Sequence, residues 1–184
     1  MGISRCWRLT ALGWGFAEAT LFFTVPDVLL TLAAAKFGWR NALHLLIYCL
    51  IGALIGGAAM YGLSAINDET ARATVDSVPL IPNEMIARVS EEMRQGWLWN
   101  MFIGAVTGTP YKVYAISAHG AEISLGAFLL GSLVVRPFRW VLTILFASAV
   151  AAEMKRYGLE RFVVPLWAAL WIAFYVFYYV LIAF

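Results

Sequence analysis

Hydrophobic and polar positions divide this chain into long apolar runs separated by one soluble-looking interval. Three runs are long enough to cross a bilayer, whose hydrocarbon core takes about 20 apolar residues of helix. Residues 41–66 and 162–184 supply that length without a charge, and residues 123–152 do so while carrying Arg136 and Arg139. Each is read as a spanning helix. Pro165 falls in the first turn of the last one, where a missing N–H is tolerated.

Two further apolar runs are interrupted. Residues 9–37 are divided by "TVPD" and residues 97–118 by "TGTPYK". Proline lacks a backbone donor and disfavours helix at the residue before it, so Pro26 and Pro110 predict breaks at Val25-Pro26 and Thr109-Pro110. The pieces beyond the breaks, "VLLTLAAAKFG" and "VYAISAHG", are too short to cross at about 1.5 Å per residue. Freed backbone groups at membrane depth must be covered by protein or face a watery cavity. Two re-entrant hairpins meet these constraints better than two more full spans.

The order broken segment, short punctuation, long helix occurs twice, over residues 9–66 and again over 97–152. The likeness is of pattern and not of letters. Paired interrupted segments at corresponding places in two halves point to a transporter's central site. The expected fold is therefore all-α and integral to the membrane. It is a polytopic bundle of two pseudo-symmetric re-entrant hairpins plus about three full transmembrane helices, the last of them the C-terminal helix over 162–184. All of it forms a single membrane domain.

The polar interval, residues 67–96, joins the halves. Its stretch from Asn67 to Gln95 holds six acidic and three basic residues. Asn83 is expected to cap a helix over 84–95, with Glu84 favourably placed at its start. Met85, Ile86, Val89 and Met93 share one face, which suits a helix lying along the membrane interface, or a plain connector.

Composition agrees with a membrane protein. Of 184 residues, 62% are hydrophobic and only 13% charged, against roughly 25% charged in soluble domains. A net charge of +2 gives no support to nucleic-acid binding. Arg5 and Arg8 before an apolar run imitate a signal peptide. Glu18 and Asp27 interrupt that run, however, and it outlasts the usual h-region of about 7–15 residues, so the segment is read as retained. Positive-inside counting favours a cytoplasmic N-terminus and a cytoplasmic loop with Lys155, Arg156 and Arg161, whether the broken segments are hairpins or spans.

Charges at membrane depth carry the chemistry. Each costs about 2.5–3.5 kcal/mol at a helix centre on insertion scales, so it faces a bundle interior and takes a partner. Glu18, Asp27, Arg136 and Arg139 qualify. The arginines are three residues apart, share a helix face, and flank Pro137, which can bend the helix. Guanidinium forks pair with phosphate or carboxylate. Glu18 and Asp27 are expected to pair with these arginines across the two halves. Proton uptake at either carboxylate would then release an arginine to hold an anionic headgroup. The alternative is a static set of ion pairs that locks the broken segments. Lys112 is either a phosphate contact at the second break or a chain that snorkels to the interface.

The remaining candidates are structural. Gly52, Gly56 and Gly57 in "GALIGGAAMYG" allow another helix to approach closely. Trp167, Trp171, Tyr175, Tyr178 and Tyr179 fit interface anchoring and packing. His44 is read as packing, His119 and Glu122 as part of a polar turn, and Cys6 and Cys49 as two buried thiols without metal spacing. No nucleophile elbow, metal-spaced histidine pair or phosphate loop is present, so neither an enzyme nor a cofactor or metal is expected.

"EATLFFTVPDVLL" with the glycine-rich stretch after it resembles the first half of DedA-like proteins, and "GTPYKVYAISAHG" with "FLLGSLVVRPFRW" resembles their second half. The likeness is nearest to the short bacterial YqaA branch of these SNARE-associated, or VTT-domain, membrane proteins. It covers about Trp14 to Ala149. The resemblance implies facing re-entrant hairpins in a bacterial cytoplasmic membrane and movement of lipid between leaflets. Undecaprenyl phosphate or a phospholipid would be the cargo, with proton-coupled behaviour at positions matching Glu18, Asp27, Arg136 and Arg139. This chain has only Pro26 where many members carry a fuller proline motif.

The expected function is thus a flippase- or scramblase-like translocase of an anionic lipid, with a homodimer as one way to complete a larger cavity. A proton-coupled transporter of a small solute or ion, and a non-transporting membrane-organising protein, are the alternatives.

Overall fold

The computed structural model describes residues 3–79 and 81–183. Those residues form helices and no strand: α1 (Arg5–Thr20), α2 (Asp27–Phe37), α3 (Trp39–Ile66), α4 (Asp68–Asp76), α5 (Asn83–Thr107), α6 (Tyr111–Gly120), α7 (Leu125–Arg156) and α8 (Val163–Ala183). A short 3₁₀ turn, Glu160–Phe162, leads into α8. Three helical segments among the described residues are long and apolar enough to span: Trp39–Ile66, Leu125–Arg156 and Glu160–Val180. They are compatible with an integral membrane protein.

Both proline breaks fall where the sequence puts them. α1 ends at Thr20, and α2 starts at Asp27 directly after Pro26. α5 ends at Thr107, Gly108 after it has a φ of 99°, the left-handed conformation that glycine adopts without strain, and Pro110 precedes α6. Pro137 does not end α7, which continues four residues beyond Ala152 to Arg156.

Small residues set the closest helix approach. α1 lies along α3 in the most extensive contact of the bundle. A β-carbon on Gly15 would strike the Cys49 carbonyl, and one on Gly52 would strike the Leu12 carbonyl. Gly56 faces Ala19 and Phe16 in the same way. Without side chains at these positions the two backbones meet directly, which is how helices gain dispersion energy in lipid. Gly57 meets the Tyr111 ring of α6 instead.

The polar interval departs from expectation in two respects. Asn83 does not cap: it is the first helical residue, Pro82 stands before it, and no side chain caps that helix. The helix also runs on to Thr107 through a kink at Gly96 (φ 176°, ψ 65°). There Asn100 Nδ2 donates to the Glu92 carbonyl at 2.7 Å, covering a group that the kink frees. Ile86, Val89 and Met93 are buried in one core with Ala71 and Val75 of α4. Their face therefore packs on protein and not along the interface, because α5 lies against α6 and α7; α4 is a helix not foreseen from sequence. The true cap is Asn67, whose side chain accepts from the Thr70 N–H at 2.9 Å.

Asp68 opens α4. Desolvation pushes its carboxyl up, but hydrogen bonds from Arg72 and Ser64 together outweigh it and hold the group below the usual carboxylate range. A carboxyl depressed on folding stabilises above its unfolded pKa, and that contribution is lost as pH falls through the folded value. Asp68→Asn should therefore flatten the acid side of a profile of melting temperature against pH. A profile parallel to wild type would contradict this assignment.

Two smaller expectations are also corrected. Cys6 is exposed and only Cys49 is buried. His44 is exposed on α3, edge-on to Tyr48 with ring centroids 5.4 Å apart, and not packed in the core.

Candidate functional site

The four charges of the apolar runs meet as two ion pairs. Glu18 lies near the end of α1, Asp27 opens α2, and Arg136 and Arg139 stand one turn apart on α7. Arg136 Nη2 donates to Glu18 Oε2 at 2.5 Å, and Arg139 Nη2 donates to Asp27 Oδ2 at 2.7 Å. Each acid of the first half is thus tied to a base of the second. Glu18, Asp27 and Arg136 are buried, and Arg139 is partly exposed.

Aromatic faces supply the rest of the Arg136 environment. Its guanidinium carbon lies 3.9 Å from the Tyr111 ring centre and 4.8 Å from that of Trp140. Such faces attract cations more strongly where water is excluded. Tyr111 is itself fixed, since its hydroxyl donates to Ser132 Oγ at 2.9 Å and its ring stacks on Phe128. Gly57 leaves the space this ring fills. A packing glycine on α3 therefore sets the platform under a charged residue on α7. The Arg136 Nε is buried without a hydrogen-bond partner among the described residues.

Lys112 does not reach for the interface. It is 1% exposed in the first turn of α6, and its Nζ donates to the Phe22 carbonyl at 3.0 Å. That carbonyl belongs to the non-helical segment between α1 and α2, whose backbone is covered from three directions. Trp14 Nε1 donates to the Thr24 carbonyl at 3.1 Å, and the Tyr175 hydroxyl accepts from Val25 N–H at 3.0 Å. Irregular backbone at membrane depth is tolerated under such cover. At the second break Arg139 Nη1 donates to the Ala105 carbonyl at 3.2 Å.

All five charged residues line one cavity of about 310 Å³. Lys112, Arg136 and Arg139 bring three positive charges against the two negative charges of Glu18 and Asp27. The count leaves one cation in excess (3 − 2 = 1). Pro110, which makes the second break, lines the same cavity; Pro26, Gly52, Gly56 and Gly57 do not, although Gly57 meets Tyr111, which does.

Sequence reading missed several participants. Thr143 Oγ1 donates to Asp27 Oδ1 at 3.0 Å, and Thr31 accepts from both Trp167 and Trp171 at 3.0 and 3.1 Å. Thr143 lies four residues beyond Arg139 and Thr31 four beyond Asp27, so helical spacing from the charges could have singled out both. Trp140 lies four residues beyond Arg136 and could have been found the same way, whereas nothing local marks Tyr111 as a cation platform. His119 and Glu122 lie apart from the cavity, His119 edge-on to Tyr61. No family model, curated protein or solved structure matches this chain.

Proposed function

We propose that this protein moves an anionic lipid between leaflets, the headgroup entering the cavity formed by Glu18, Asp27, Lys112, Arg136 and Arg139. The observation that carries this reading is the excess buried cation, together with the unpartnered Arg136 Nε beside it. An uncompensated buried charge costs several kcal/mol. A ligand that brings a negative charge and several acceptor oxygens offsets that cost, and a phosphate does both.

Helix lengths support a hairpin reading of the broken segments. α2 has 11 residues and α6 has 10, roughly 16 and 15 Å at 1.5 Å per residue, or about half of a 30 Å hydrocarbon core. Each short helix also packs on the long helix of the other half, α2 on α7 and α6 on α3, as a two-fold arrangement would require. In this scheme the Glu18–Arg136 and Asp27–Arg139 pairs hold the cavity while it is empty. Protonation of a carboxylate releases its arginine to the headgroup. The resemblance to DedA-like proteins supports this reading, for which a bacterial cytoplasmic membrane is the expected home, and positive-inside counting favours an N-terminus inside. No catalytic step is part of this scheme.

The test is leaflet exchange in liposomes carrying a labelled isoprenyl phosphate or anionic phospholipid. Lys112→Gln and Arg139→Gln, each verified as folded, should slow exchange by about tenfold or more, since a hydrogen bond to a charged group contributes roughly 1.5–3 kcal/mol. Exchange no faster than in protein-free liposomes, for both lipids and with or without a pH gradient, would refute the reading.

A further inference from the structure

A second cavity, of about 380 Å³, lies between α7 and α8 and against α2. Phe146, Ala147 and Val150 of α7 face Leu166 and Leu170 of α8 across it. The polar side chains along it are Thr31, Thr143, Trp167 and Trp171, and all are engaged. Thr31 Oγ1 donates to the Asp27 carbonyl at 2.6 Å and accepts from both indole N–H groups. Thr143 Oγ1 donates to the Asp27 carboxylate. With its donors so engaged and its other lining side chains apolar, the groove offers water little to bond, and a cavity of that kind favours an apolar occupant.

The groove adjoins the charged site. Trp171 and Phe174 line both cavities, and Asp27 sits where they adjoin, bonded to Arg139 on one side and Thr143 on the other. Its length has a meaning in a bilayer. Thr143 and Met154 mark its extent along α7, 11 positions apart (154 − 143). At 1.5 Å per residue that is roughly 16 Å, close to one leaflet's share of a 30 Å hydrocarbon core.

We propose that this groove holds one hydrocarbon chain of the anionic lipid whose headgroup occupies the charged cavity; the inference rests on the function proposed above. Joining a charged pocket to an apolar slot one leaflet deep selects an amphiphile over a free anion. The chain follows α7 while Trp171 and Phe174 separate it from the ion pairs.

Ala147→Trp in the full-length protein fills the groove and leaves the charged residues in place. Exchange of a labelled anionic phospholipid should fall by about tenfold or more, because a filled groove gives the chain no packed path beside its headgroup. Protection against thermal unfolding by inorganic phosphate should stay at its wild-type level. Ala147→Val, a smaller filling, should give an intermediate rate and serves if the tryptophan variant does not fold. Wild-type exchange by a folded Ala147→Trp protein would overturn the proposal. So would a change of oligomeric state in that variant, which would make the groove a docking surface between copies. Phosphate protection without lipid exchange in the wild type would overturn the chain site and keep the anion site. Loss of both would remove the underlying reading as well.

Discussion

Glu18→Ala will destabilise the folded protein by about 3–5 kcal/mol, because it strands the Arg136 guanidinium in a buried site. Both side chains of that pair are 8% exposed, so water cannot take over for the missing carboxylate. Tyr111 and Trp140 attract the cation but accept no hydrogen bond of comparable strength, and its Nε already lacks a partner. The paired replacement Glu18→Leu with Arg136→Met should behave differently. Exchanging a buried ion pair for apolar groups of similar volume is often neutral or stabilising. Unfolding of the single and double variants in detergent micelles measures the coupling directly. A single variant that loses less than about 1 kcal/mol would mean that the pair is effectively solvated.

The same double variant separates transport from a static lock. If the ion pair only clamps α1 to α7, restoring stability with apolar residues should restore whatever the protein does. If Arg136 holds a headgroup, the double variant should be stable and unable to exchange lipid. Normal exchange by the double variant would remove Glu18 and Arg136 from the transport site.

Gly52→Ala will destabilise by about 1–3 kcal/mol, and Gly52→Leu by more, because the added β-carbon meets the Leu12 carbonyl of α1. A backbone oxygen in a packed helix cannot rotate away, so α1 as a whole must shift. Glu18 rides on the same helix, and its bond to Arg136 would shift with it. Gly62→Ala, on the same helix α3, should have the opposite sign. Nothing lies within 4 Å of a β-carbon there, so only helix propensity changes, by roughly 0.5–1 kcal/mol in favour of alanine. Thermal unfolding of the two alanine variants checks the contrast. Equal shifts would show that close approach of α1 and α3 contributes nothing.

Much of the fold was legible because its signals are local. Pro26 and Pro110 act on their own backbone and the residue before them, so both breaks could be placed without knowing any neighbour. The long apolar runs needed only counting, and Gly52, Gly56 and Gly57 marked a helix that a partner could approach. Four charges in apolar surroundings implied partners, since isolated charges are too costly at that depth.

The sequence by itself therefore determined the helical runs, the breaks between them, the close-packing stripe and the residues that had to be neutralised. Only the tertiary structure decided how those requirements were met. It paired Glu18 with Arg136 and Asp27 with Arg139, drew Lys112 inward to the Phe22 carbonyl, and brought Tyr111 under the guanidinium. It also set α5 against α6 and α7, so that Ile86, Val89 and Met93 face protein and not the membrane interface. The α8 tryptophans were turned toward Thr31. Each of these contacts joins positions far apart in the chain, or depends on which face of a helix meets which neighbour. Local propensity does not encode that choice; it comes from satisfying every buried charge and freed backbone group together in one packed bundle.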